Sequence, residues 1–94
     1  MRKMNKKPKE KNELLSLKNL GPAVLKDLET LGICKIAQLR SETADHLYKE
    51  LQKRTGIKQD PCMWDVFAAI IHESKTGEKL PWWHWTKLRK DRGL

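Results

Sequence analysis

The sequence predicts an all-α fold: a single small domain of five or six short helices. Three observations carry that prediction. Apolar residues recur at three- and four-residue spacing in successive stretches, as one buried helix face requires. Gly-Pro and Asp-Pro pairs and single glycines punctuate those stretches where helices start and stop. No stretch alternates apolar and polar residues for long enough to form a strand; Ile33 to Ala37 is the one β-like run, and it is too short.

The elements follow in chain order. Residues 1–10 are polar, basic and interrupted by Pro8, and read as a disordered arm. Lys11 to Leu17 reads as a short helix with Leu14, Leu15 and Leu17 apolar, and Asn19 to Gly21 as a turn. Pro22 opens the next helix at the position where its missing N–H costs nothing. That helix carries Val24, Leu25, Leu28 and Leu31 on one face; Gly32 suits the left-handed residue after its end, and Ile33 packs back. Lys35 to Arg40 is a third short helix, with Ile36 and Leu39 inward.

Ser41 or Thr43 caps a fourth helix that runs to about Thr55. Ala44, Leu47, Tyr48 and Leu51 form its buried stripe, and Gly56 ends it. Asp60-Pro61 starts a fifth, the most apolar, through Met63, Val66, Phe67, Ile70 and Ile71 to Gly77. This helix is expected at the centre of the core, with Trp64 on its edge. Pro81 biases Leu80 to extended geometry. A Trp82-Trp83-His84-Trp85 cluster follows, then a short basic helix. The expected organisation is a basic arm over 1–10, a domain over 11–86 and a basic tail over 87–94.

Charge is concentrated at the two ends. The net charge of the 94 residues is +8. Six basic residues against Glu10 give residues 1–12 about +5, and four against Asp91 give residues 87–94 about +3. The stretch between is close to neutral. Such ends serve solubility, or track an acidic polymer such as a nucleic acid.

The turn around Gly21 is the strongest functional signal. A turn feeding a helix N-terminus aims backbone N–H groups outward where an anion is stabilised. Lys18 and Lys26 flank it with full charges, and Gly21 supplies backbone freedom. The motif from Leu17 to Pro22, with Leu28, Leu31-Gly32-Ile33 and Leu39 in phase, resembles a helix-hairpin-helix element. Asn19 stands where that family usually has its first glycine, and Asn tolerates the left-handed conformation better than most residues. The resemblance implies backbone contact with nucleic acid, without base reading, through Lys18, Asn19, Leu20, Gly21, Pro22, Ala23, Val24 and Lys26. The donors would be the amides of Gly21, Ala23 and Val24.

A wider resemblance covers roughly residues 13 to 87. Leu20-Gly21-Pro22, Leu31-Gly32-Ile33, Leu47-Tyr48, Thr55-Gly56, Asp60-Pro61-Cys62, Asp65-Val66-Phe67 and Trp82-Trp83-x-Trp85 resemble the bacterial pathogenicity-locus family. Some of its members are labelled mitomycin-resistance proteins, and its first half is similar to the C-terminal domain of TfoX competence regulators. That resemblance implies a bacterial setting in DNA repair, uptake or nucleoid processes.

Other constellations are weaker. Trp82, Trp83 and Trp85 either plug the core or form a stacking or partner surface. Cys34, Cys62, His46, His72 and His84 show no paired structural-zinc spacing, so no metal or other cofactor is expected. Cys62, just after Pro61, is placed where a helix N-terminus would favour a thiolate. Glu13, Asp27, Glu29, Asp60 and Asp65 read as caps and solvated faces, and no nucleophile has a base and orienter at motif spacing. The expectation is a non-catalytic, cytoplasmic, largely sequence-independent DNA-binding protein without membrane insertion. The alternative is a protein–protein adaptor or homodimer that uses the Trp-rich segment, with the hairpin purely structural.

Overall fold

The computed structural model describes residues 12–93; the expected arm over residues 1–10 lies outside them. Among the described residues the regular elements are all helical. They are a 3-10 helix η1 (Asn12–Ser16), α1 (Pro22–Thr30), α2 (Ile36–Arg40), α3 (Ala44–Thr55), α4 (Cys62–Thr76), a second 3-10 helix η2 (Trp82–Trp85) and α5 (Thr86–Asp91). The expected helix from Lys11 to Leu17 is thus a tighter 3-10 segment over Asn12–Ser16. Its continuation is a single i→i+3 bond, Leu17 N to Leu14 O at 3.1 Å. With a turn immediately ahead there is no room for α-type bonds to propagate.

Local signals decide where the helices stop. After α1, the Gly32 amide donates to Glu29 O at 3.0 Å and the Ile33 amide to Leu28 O at 2.8 Å, with Gly32 at φ 80°. That is the paired-bond C-cap that a glycine permits, and buried Ile33 and Leu28 both belong to the core. Thr43 Oγ1 accepts from the His46 amide at 3.1 Å and so starts α3. Left-handed Gly56 and Gly77 end α3 and α4.

Helix α4 is the axle of the domain, with Phe67 and Ile70 wholly buried. It packs against α2, α3, η2 and α5, while α1 packs against η1 and α3. Two α4 residues depart from the sequence expectation. Trp64 is a core residue, 3% exposed, because its indole N–H finds Asp45 Oδ1 at 2.6 Å; a buried indole needs such a partner. Asp65 was expected on a solvated face and is entirely buried. It accepts from Arg89 Nε at 2.9 Å and Thr86 Oγ1 at 2.8 Å. Those bonds make its burial tolerable and fasten α5 to the core.

Long-range bonds tie down the rest. Arg40 Nε donates to Ser74 O at 2.8 Å, which joins α2 to the end of α4. Glu13 Oε2 accepts from the Ile36 amide at 2.8 Å, so η1 helps to start α2. The Tyr48 hydroxyl donates to Gln59 O at 2.7 Å and holds the loop between α3 and α4.

Candidate nucleic-acid interface

The hairpin corner is built by residues 17–24. Its one left-handed residue is Asn19, at φ 74°. Gly21, expected to supply conformational freedom, sits at φ −104° and ψ −173°, which any residue adopts. Asn19 absorbs the turn, so Gly21 is left as the N-cap of α1. Gly21 has no side chain to cap the helix, and Pro22 follows at the first turn. A Cβ added at Gly21 would meet open space.

The amide donors divide into two sets. The Lys18 amide donates to Glu73 Oε1 at 2.9 Å. Glu73 is a buried α4 carboxylate whose other oxygen takes Lys79 Nζ at 2.6 Å. This pair roots the hairpin in the core and largely neutralises Glu73. The amides of Gly21, Ala23 and Val24 have no acceptor among the described residues. They lie at the N-terminus of a nine-residue helix whose first turn carries no acid. Orphan N–H groups and the helix dipole together suit an anion.

The side chains assigned to the site sort in the same way. Lys18, Pro22, Ala23 and Lys26 are exposed, and Gly21 and Val24 are half-buried. Leu20 is a core residue, 6% exposed. Asn19 turns its side chain away from the corner. Its Nδ2 donates to Leu80 O at 2.8 Å and its Oδ1 accepts from the Trp82 amide at 3.1 Å. The asparagine therefore fixes the turn and clamps the Trp-rich segment to it. Asp27, further along α1, is the nearest acid in sequence after the hairpin. Partial burial raises its pKa, partly offset by the Lys26 charge.

The Trp cluster does not act as one surface. Trp82 and Trp85 are half-buried, and Trp85 packs on the core. The Trp85 ring lies against His72, with ring centres 5.3 Å apart, and against His84 at 4.8 Å. Trp83 alone of the three stands out, 64% exposed. An open groove runs beside this segment, lined by Trp64, Ile71, His72, Trp85 and Leu88.

The expected basic tail is largely occupied by internal partners. Arg89 is 8% exposed and paired with Asp65. Arg92 pairs with Asp45 and lies 5.6 Å from the centre of the Trp64 ring. Lys87 lies 3.4 Å from Asp91. The Cys62 thiol is likewise no helix-end thiolate. Burial first, then its hydrogen bond to Asp60, raises its pKa. The Cys62 amide and thiol hold Asp60 below the usual carboxylate range. Among the described residues no group of three or more metal-ligating side chains converges, and no helix is long and apolar enough to cross a membrane.

Sequence reasoning missed Glu73 and Asp65. The legible signal was an acid at core spacing on the most apolar helix: Glu73 falls three residues after Ile70 and six after Phe67.

Fold and site together define a small all-helical domain that presents a hairpin of open amides on a buried, acid-anchored base. The chain belongs to the Cdd1 family, described as "Pathogenicity locus", whose model matches residues 7–91. It is 34% identical over 79 residues to "Mitomycin resistance protein McrB" of Streptomyces lavendulae, across 84% of this chain and 75% of that protein. No solved structure matches it.

Proposed function

We propose that this protein is a non-catalytic, cytoplasmic DNA-binding protein that grips phosphates largely without regard to sequence. Its hairpin acts as a helix-hairpin-helix element. The amides of Gly21, Ala23 and Val24 donate to phosphate oxygens, and Lys18 and Lys26 add charge. One observation carries this reading: those three amides are unsatisfied among the described residues at a corner where a side chain would meet nothing. Contacts of this kind position a protein on the backbone and do not read bases. With Lys18 and Lys26 neutralising about two phosphates, affinity falls with salt at a log–log slope of about −2.

Gly21→Asp tests it. Asp is as good an N-cap as any residue and Gly is only a few tenths of a kcal/mol worse, so folding is preserved or slightly improved. The new carboxylate takes the Ala23 and Val24 amides and repels phosphate. Titration of duplex DNA at several salt concentrations should show affinity falling at least about tenfold with no loss of thermal stability. Unchanged affinity contradicts the reading.

The exposed Trp83 and the groove beside Trp85 favour a second reading, a protein adaptor. Under it, Trp83→Ala or Trp85→Ala removes a co-purifying protein while Gly21→Asp does not.

A further inference from the structure

We propose that Trp83 stacks on an unpaired base of the strand held at the hairpin, so that the protein prefers single-stranded or locally opened DNA to intact duplex. The inference rests on the hairpin reading above and adds the kind of DNA.

Position is the first argument. The Trp82 amide lies 3.1 Å from Asn19 Oδ1, so by covalent geometry the Trp83 Cα lies at most about 9 Å from that atom. The hairpin turn and the Trp83 backbone are therefore neighbours in space. Asn19 makes this arrangement rigid. It is bonded to Leu80 and Trp82 at once, across more than sixty residues of chain.

Exposure is the second argument. Burying a large ring is the ordinary way for a small domain to gain stability. Here Trp82 and Trp85 are half-buried, while Trp83 between them is 64% exposed. Its backbone is held in η2, where the Thr86 amide donates to Trp83 O. The ring is thus carried on an ordered segment.

Charge is the third argument. Lys79 lies four residues before Trp83 with a side chain 60% exposed, its ammonium shared with Glu73. Lys18 stands exposed on the hairpin. An aromatic ring among cations is the standard equipment for a single strand, since every base has a π-face. A base paired inside a duplex offers no such face, which is the origin of the preference.

The test titrates the full chain with an oligothymidine and with a duplex of equal length at matched salt, following anisotropy and indole fluorescence. The proteins are wild type, Trp83→Ala, Trp83→Phe and Gly21→Asp. Trp83→Ala should lose about tenfold in affinity for the single strand and less than about twofold for the duplex, with Trp83→Phe recovering most of the loss. Gly21→Asp should weaken both. Wild-type single-strand affinity in Trp83→Ala overturns the stacking role, and if Gly21→Asp still weakens duplex binding the hairpin reading survives it. Normal binding by Gly21→Asp to both DNAs overturns the hairpin reading and this inference with it. Trp83→Ala that binds both DNAs normally but loses a co-purifying protein assigns the ring to the adaptor.

Discussion

The hairpin corner and the C-terminal helix are both basic in sequence, and the structure employs them in opposite ways. At the C-terminal end two cations are taken up internally: Arg89 in α5 faces inward to Asp65, and Arg92 just past α5 serves Asp45 and the Trp64 ring, while Lys87 and Lys90 stay exposed. At the hairpin the acid faces inward, with Glu73 satisfied by the Lys18 amide and Lys79. What remains outside at the hairpin is a set of donors without acceptors. The lesson is that net charge locates nothing. What makes an anion site is the supply of unsatisfied donors after internal pairs are formed.

The comparison breaks most visibly at Asp65. Asp65→Ala removes the buried carboxylate that accepts from Arg89 and Thr86, and breaking a buried pair in this way should cost about 3–5 kcal/mol. Urea unfolding would read the loss as a lowered midpoint, and an unchanged midpoint would show that α5 is not anchored by this pair. DNA affinity of the remaining folded protein should hold.

Asn19 comes next. Asn19→Gly keeps the left-handed backbone and deletes both bonds to Leu80 and Trp82. At about 1 kcal/mol per bond the loss should be about 2 kcal/mol, measured by the same unfolding experiment. Asn19→Ala should lose about a further 1 kcal/mol, because alanine resists positive φ. Equal stability of the two variants would contradict the role given to φ 74°.

Lys18→Glu with Lys26→Glu sharpens the other side. These exposed changes should move stability by less than about 0.5 kcal/mol. They should make the salt dependence of DNA binding shallower by about two in log–log slope. An unchanged slope would place the binding elsewhere.

Asp27 gives the smallest effect. Its folded pKa is raised by burial, so the folded state holds the proton more tightly than the unfolded chain does. Its contribution to stability is therefore best at low pH and declines as pH rises from the ordinary carboxylate value through the folded one. Asp27→Asn should remove that decline and slightly raise stability at neutral pH. Comparison of unfolding at pH 3 and pH 7 would show it, and a loss of stability at pH 7 would contradict it.

Much of the fold was legible because its causes are local. The stripes of Leu47 and Leu51 and of Phe67 and Ile70, with Gly32, Gly56 and Gly77 at the helix ends, appear as the periodicity predicts. The hairpin was also legible as a turn and a Pro-led helix. What could not be read is what acts across distance. Glu73 reaches a residue 55 positions away, and Asn19 reaches residues 61 and 63 positions away. No local spacing announces such pairs. The sequence therefore located the turn and allowed for a left-handed Asn19, but it also gave Gly21 a freedom that its φ of −104° does not use, and it counted Arg89 and Arg92 as available charge.

The central claim is tested most directly by following backbone amide resonances during a DNA titration at low salt. The account predicts that the largest shifts fall on Gly21, Ala23 and Val24, with α5 between Thr86 and Asp91 nearly silent. Shifts centred on α5, with those three amides unmoved, would contradict it.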